Sequence, residues 1–224
     1  MLFFIFIFIF IFMLYKFKKI HFSQDIHIVD GNDKTIDIDK VEVREQKLAK
    51  KYIKENDKVL ELGARFGSVS CTINKKLNNG ENHIVVEPDE NVWKALDKNK
   101  KNNNAKFKIV KGVISNHPLS LINRGYGSST VKNDKSKIPH YTLNQIKQKY
   151  NINFNVLVAD CEGCLENFFE ENPLFYNDLR MIIFEKDYPN NCDYKKIENN
   201  LKNNKFKCLE SGHQNVWEKI FYFD

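Results

Sequence analysis

Arginine is scarce in this chain: of its 35 basic residues 31 are lysine and 4 arginine, and 28 asparagines accompany them. Lysine and asparagine runs such as 98–104 and 199–205 therefore read as solvated surface set by an AT-rich coding usage. Without the first twenty residues, which carry Lys16, Lys18 and Lys19, 32 basic side chains face 29 acidic ones. That balance implies no polyanion partner, and no nucleic acid is expected. The chain has no collagen-like period, no internal repeat and no Asn-x-Ser/Thr sequon. Its five cysteines (71, 161, 164, 192 and 208) are odd in number and scattered, which fits reduced thiols better than a disulfide framework. Cys161-x-x-Cys164 lacks both the second pair of a zinc site and a thioredoxin-like context, so neither a metal nor a redox role is expected. What remains is a 224-residue chain with 42% apolar and 13% aromatic residues, enough for one globular domain with a full core.

One apolar run is out of proportion to the rest. Met1–Tyr15 carries no charged side chain and is followed by the three lysines. As a helix it would reach about 22 Å, short of a hydrocarbon core of roughly 30 Å unless Phe17 and Ile20 extend it while the lysines snorkel. Residues 1–20 therefore read as a membrane anchor. Basic residues on its C-terminal side favour a cytosolic body. A secretory signal is the alternative, although a basic n-region and a small-residue cleavage site are both missing. Residues 21–43 read as a connecting segment and 44–224 as the folded domain.

Within that domain β-type apolar runs alternate with helical spacing. The pattern predicts helices over 44–54, 66–77, 91–99, 141–150 and 193–203. It predicts strands over 58–62, 83–87, 107–114, 154–159 and 180–185, and two more within 208–223. Strands separated by helices mean βαβ units and a parallel, doubly wound α/β sheet. Residues 115–140, with Gly125, Gly127 and Pro139, break the period and read as an insertion or hairpin.

Ligands of such sheets sit beyond the carboxyl ends of the strands. The first end reads Glu61-Leu62-Gly63-Ala64-Arg65-Phe66-Gly67, a tight turn into a helix whose free amides can face a bound group. Glu87 ends the next strand twenty residues past Gly67, where a carboxylate suits a ribose diol. The third glycine of a dinucleotide fingerprint is missing, as is the Lys-Ser/Thr of a P-loop. With Glu61 upstream, the loop suits a cofactor bearing an ammonium, which points to S-adenosylmethionine. Asp160-Cys161-Glu162-Gly163-Cys164 and Glu185-Lys186-Asp187 close the crevice with further acids. A methyl transfer to a hydroxyl needs a group to take the proton, and Asp160 and Glu162 are the candidates. The same acids would suit a divalent cation, but no residue is assigned to a metal.

Taken in order, Gly63-Ala64-Arg65-Phe66-Gly67, Val86-Glu87-Pro88, Gly112–Ser115, Tyr141-Thr142-Leu143 and Asp160-Cys161-Glu162-Gly163 resemble the motifs of the FkbM family of S-adenosylmethionine-dependent methyltransferases. The resemblance spans about residues 44–222. It implies a Rossmann-like class I methyltransferase with a seven-stranded, mostly parallel sheet and O-methylation of sugars or secondary metabolites. Carried over, Gly63, Ala64 and Gly67 would wrap the methionine part of the cofactor, Glu87 would hold the ribose, and Val113 would flank the adenine. Asp160 and Glu162 would line the reacting centre. Arg65 stands where the family has Asn and would either pair with the cofactor carboxylate or crowd the loop. Asn144 replaces an Asp, and Cys164-Leu165 replaces the usual setting of a second acid, with Glu166 one step on. The expected partner is a glycan or other hydroxylated small molecule. A cofactor-binding interaction module without turnover is the alternative, and a nucleic-acid methyltransferase is the weaker one. Tyr126, Tyr141, Tyr188 and Trp217 read better as packing than as a sugar platform, and His117 and His140 as ordinary loop residues.

Overall fold

The computed structural model describes residues 26–122 and 125–220. The anchor expected in residues 1–20 lies outside the described residues. Among those described, no helix is long and apolar enough to cross a membrane.

The domain begins earlier than residue 44. Strands β1 (Ile28–Val29) and β2 (Thr35–Ile36) form a small antiparallel hairpin. Asp30 shapes its turn by accepting from the amides of Asn32 and Lys34 at 2.8 and 3.0 Å. The fully buried Asn99 then staples the hairpin to the body. Its amide group donates to the carbonyls of Val29 and Phe66 (2.8 and 2.9 Å), and its oxygen accepts from Val29 N.

The chain continues through α1 (Val43–Tyr52), β3 (Val59–Leu62), α2 (Ser68–Lys76), β4 (His83–Glu87), α3 (Glu90–Asn102) and β5 (Lys108–Lys111). It goes on through β6 (Val113–Ile114), β7 (Leu119–Ile122), β8 (Ser129–Lys132), β9 (His140–Tyr141), α4 (Leu143–Tyr150) and β10 (Val156–Ala159). The rest is α5 (Leu165–Glu171), α6 (Phe175–Asp178), β11 (Met181–Glu185), α7 (Tyr194–Asn203), β12 (Phe206–Glu210) and β13 (Gln214–Lys219). Seven of these strands make one sheet in the order β12-β13-β11-β10-β3-β4-β5. The five strands from β11 to β5 run parallel, and β13 is antiparallel to both its neighbours.

Every residue of β3, β4 and β10 is buried, as a strand covered on both faces requires. Alternation along β3 sends Leu60 and Leu62 into the cluster around Phe154, Phe184 and Trp217, and Val59 into the cluster under α1 and α2. At the amino ends of the strands Asp57 acts as a hub. It accepts from Arg180 Nε at 2.7 Å, Asn155 Nδ2 at 3.1 Å and Lys54 N at 2.6 Å, and forms a second, short contact with Arg180 Nη2. This leaves the carboxyl ends free to carry the site.

Two local expectations need correction, and two short helices were not expected at all. The strand over 107–114 is two strands, broken at Gly112, where φ is 149° and a Cβ would lie 2.1 Å from the Pro139 carbonyl oxygen. That close approach lets β6 leave the sheet and pair in parallel with β9. Tyr141 belongs to β9 rather than to the helix, because Thr142 starts α4 with a capping box closed by Gln145. Helices α5 and α6, whose Phe168, Phe169, Phe175 and Tyr176 form a run of ring contacts, escape the periodicity because both are short.

Candidate active site

The carboxyl ends of β3, β4, β10 and β11 open into one cleft, bordered by Glu42, Glu61, Gly63–Arg65, Glu87, Val113 and Asp160–Glu162 among others. The turn after β3 fits because its first residue has no side chain. Gly63 has φ 82°, and a Cβ there would sit 1.7 Å from the Asp160 carbonyl oxygen, so the loops after β3 and β10 touch backbone to backbone. Arg65 follows at φ 44°, a left-handed conformation that an unbranched or Asn side chain tolerates best. Gly67, the last glycine of the expected cofactor set, stands apart from the others. It does not border the cleft but packs under Leu96 of α3, whose Cδ1 would stand 2.7 Å from an added Cβ.

Glu87 holds this loop together. One carboxylate oxygen accepts from the amides of Ala64 and Arg65 at 3.1 and 2.6 Å, the other from Asp89 N at 2.8 Å. Burial raises its pKa, and these three amides oppose the rise. A carboxylate has about four lone-pair directions, so roughly one is left for a ligand hydroxyl. Glu61 is likewise engaged: Ser70 Oγ donates to it at 2.8 Å, and His83 Nε2 stands 2.7 Å away, with both side chains sealed from solvent. The acid expected to meet an ammonium is thus tied beneath α2, although it borders the cleft.

The deeper acids form a like-charged cluster. Carboxylate oxygens of Asp160, Glu162 and Asp187 lie within 4.8 Å of one another, as do the ligand atoms of Glu185, Asp187 and His213. His213 Nδ1 is 2.7 Å from Glu185 and Nε2 is 3.1 Å from Asp187. Among the described residues, these are the sets close enough to hold a cation. Burial, and then the charges of Glu42, Asp187 and Glu162, push Asp160 well above the carboxylate range. Burial and Asp187 raise Glu162 to about 7, against the pull of Arg65. Glu185 is raised to about 9 by burial and by Asp160.

Glu42 and Glu45, which also border the cleft, were not legible as site residues. They cap and open an ordinary lysine-rich helix, Glu42 at its N-cap and Glu45 in its first turn, and belong to no motif. Glu42 takes the left-handed cap position of α1 at φ 50°, accepts from Ser68 Oγ in a short contact, and is raised to about 7 by burial. Of the eight non-glycine residues at positive φ among the described residues, three border this cleft: Glu42, Arg65 and Glu162, at 50°, 44° and 54°. Glu166, the displaced acid of the motif, is spent elsewhere: it accepts from Asp193 N and pairs with Lys196.

The expectation of five reduced thiols is overturned at the cleft. Cys161 and Cys164 are joined as a disulfide, their Cα atoms 5.4 Å apart, while Cys71, Cys192 and Cys208 are free. The turn through Glu162 and Gly163, both at positive φ, brings the two cysteines within bridging distance, which sequence spacing alone does not reveal.

Residues 115–140 supply the hairpin β7–β8, and Leu119, Ser128 and Thr130 from it border the cleft. Its tip is pinned by Arg65 Nη1 donating to Gly125 O at 2.8 Å and Tyr188 Oη donating to Gly127 O at 3.3 Å. Arg65 therefore spans the mouth of the cleft. Trp217 is buried in the core, as expected, and His117 and His140 are exposed and do not border the cleft. Asn144 is exposed at the start of α4.

Several solved structures share this architecture. The O-methyltransferase from Bacillus cereus in complex with SAH is similar at TM-score 0.52 and 12% identity, over 78% of this chain and 79% of that one. Cofactor-bound Rv0187 from MTB is similar at TM-score 0.52 and 9% identity, over 79% of each chain. The chain shares their Rossmann-like α/β fold. At such identities the likeness concerns the fold. No protein-family model matches the chain, and no curated protein matches its sequence.

Proposed function

We propose that this chain is an S-adenosylmethionine-dependent O-methyltransferase of the FkbM kind, acting on a hydroxyl of a glycan or other hydroxylated small molecule, with residues 1–20 tethering it to a membrane. The observation that carries the reading is the cleft itself: strand ends that present Asp160 and Glu162 beside a glycine turn, Asp187 within 4.8 Å of both, and Glu42 and Glu45 from the start of α1 bordering the same space. Such an excess of partly buried carboxylates suits a cationic ligand. S-adenosylmethionine carries a sulfonium and an ammonium, and when bound it supplies an electrophilic methyl group.

The chain's own residues supply the rest. Glu87 fixes the Gly63–Arg65 turn and has one acceptor direction left for a ribose hydroxyl. Val113, buried beside that turn, offers an apolar wall for a flat base. Asp160 and Glu162 face the space where an acceptor hydroxyl would approach. Glu162, raised to about 7, is matched to taking a proton near neutral pH. The β7–β8 hairpin, pinned over the mouth, is the element that would choose the acceptor.

The test is the thermal midpoint of the full chain with and without S-adenosylhomocysteine. Ligand at 100 times its dissociation constant adds about 2.7 kcal/mol, or roughly 5–11 °C for a domain of this size. Glu87→Gln should abolish the shift. Asp160→Asn with Glu162→Gln should leave a smaller but measurable shift while methyl transfer falls by orders of magnitude. A folded chain with no shift at saturation overturns the reading. A shift without turnover on any hydroxylated acceptor leaves a cofactor-binding module.

A further inference from the structure

We infer that Cys161 and Cys164 are a reversible thiol–disulfide couple whose closed form fixes the loop that carries Asp160 and Glu162. Both cysteines border the cleft and are only partly buried, so a small dithiol can reach them. The loop they close holds Glu162 at φ 54°, a left-handed conformation that costs a residue with a Cβ free energy, next to Gly163 at φ 87°. Inside the turn the backbone contributes one contact, Cys164 N donating to Cys161 O at 3.2 Å. The covalent ring is thus a main restraint on where the Glu162 carboxylate points. As a staple for the whole fold it would achieve little. A bridge across three residues removes far less chain entropy than one closing a long loop, and the sheet and its core close without it. The other cysteines are poor substitutes, since Cys71 and Cys192 are buried and Cys208 is exposed on strand β12.

The chemistry balances with a dithiol as reductant. Its thiolate attacks one sulfur of the bridge to give a mixed disulfide, and its second thiol displaces the protein sulfur. Two electrons and two protons pass to Cys161 and Cys164, and the reductant leaves as its cyclic disulfide. Oxidised dithiothreitol returns the pair to the bridge by the reverse steps. The consequence for a cofactor rests on the methyltransferase reading. With the bridge open, Glu162 leaves its strained conformation and the acid cluster with Asp160 and Asp187 loosens.

The experiment equilibrates the full chain in reduced and oxidised dithiothreitol at varied ratio, alkylates it, and maps thiols by peptide mass. Cys161 and Cys164 should become alkylatable together as one two-electron couple. Hydrogen exchange at the amides of residues 162–164 should be at least tenfold faster in the reduced form. The dissociation constant for S-adenosylhomocysteine should rise at least fivefold on reduction. The double variant Cys161→Ser, Cys164→Ser should match the reduced form in either buffer. Recovery of both cysteines as thiols at the oxidising end, loop exchange equal in the two forms, or equal affinity in the two forms would each overturn the inference. If neither form binds S-adenosylhomocysteine, the methyltransferase reading falls, while thiol mapping and loop exchange still decide the couple.

Discussion

Raising the pH from about 6 to about 8 should tighten binding of S-adenosylmethionine, and the size of the effect follows from the cleft acids. Glu42 and Glu162 are raised to about 7 from an ordinary value of 4.5, because burial penalises their charge and neighbouring carboxylates add to the penalty. A cation placed beside either group favours its ionised form. If binding carries one such carboxylate from about 7 to well below 6, affinity rises roughly tenfold across that pH range. Two coupled in this way give up to about a hundredfold, less whatever solvent screens. The unliganded protein should behave in the opposite sense. A carboxyl whose folded pKa lies above its unfolded one contributes stability that is complete below about 4.5 and is lost as the pH climbs through about 7. The thermal midpoint without ligand should therefore fall between about pH 5 and 8 while the ligand-induced shift grows. The assay is titration calorimetry in two buffers of different ionisation enthalpy, which counts the protons released per ligand bound. S-adenosylmethionine, with its sulfonium, should release more than S-adenosylhomocysteine, and Glu162→Gln should lower the count. Affinity independent of pH, or stronger in acid, would refute the picture of a cleft built for a cation.

Two further outcomes test the frame around the site. Gly63→Ala would drive a methyl group into the Asp160 carbonyl from a φ of 82°. It should cost about 3 kcal/mol or more, seen as a collapse of the thermal midpoint, because backbone cannot step aside as a side chain can. Asp57→Ala leaves the partly buried Arg180 without its two-pronged partner and with the Tyr52 carbonyl as its remaining oxygen acceptor, and chemical denaturation should show a loss of about 3 kcal/mol. A loss below about 1 kcal/mol would mean that solvent replaces the pair.

The legible parts of the protein were those that local rules govern. His83–Glu87 reads as an apolar run before a proline and is that strand; the helices expected over 91–99 and 193–203 are present, each opened by an aspartate, Asp89 or Asp193, that accepts from an amide behind it. Strands spaced by helices fixed a parallel sheet, and glycines and acids at strand ends marked Gly63, Glu87, Asp160 and Glu162 as neighbours before any contact was known. What Gly67 packs against was not legible, because a glycine after a strand serves a helix crossing as readily as a ligand, and only the tertiary structure puts Leu96 over it.

What the sequence by itself determined was the order of elements and the chemistry offered at each strand end, since both follow from period, caps and residue type within a few positions. Only the tertiary structure decided how that chemistry is spent. It turned Glu87 and Glu61 inward onto amides, a hydroxyl and an imidazole, and it brought Glu42 and Glu45 from α1 into the cleft. It also bent one turn far enough for Cys161 to meet Cys164. Each of these depends on distances between segments remote in the chain, or on a backbone angle that no side chain announces, and such quantities exist only once the sheet has closed.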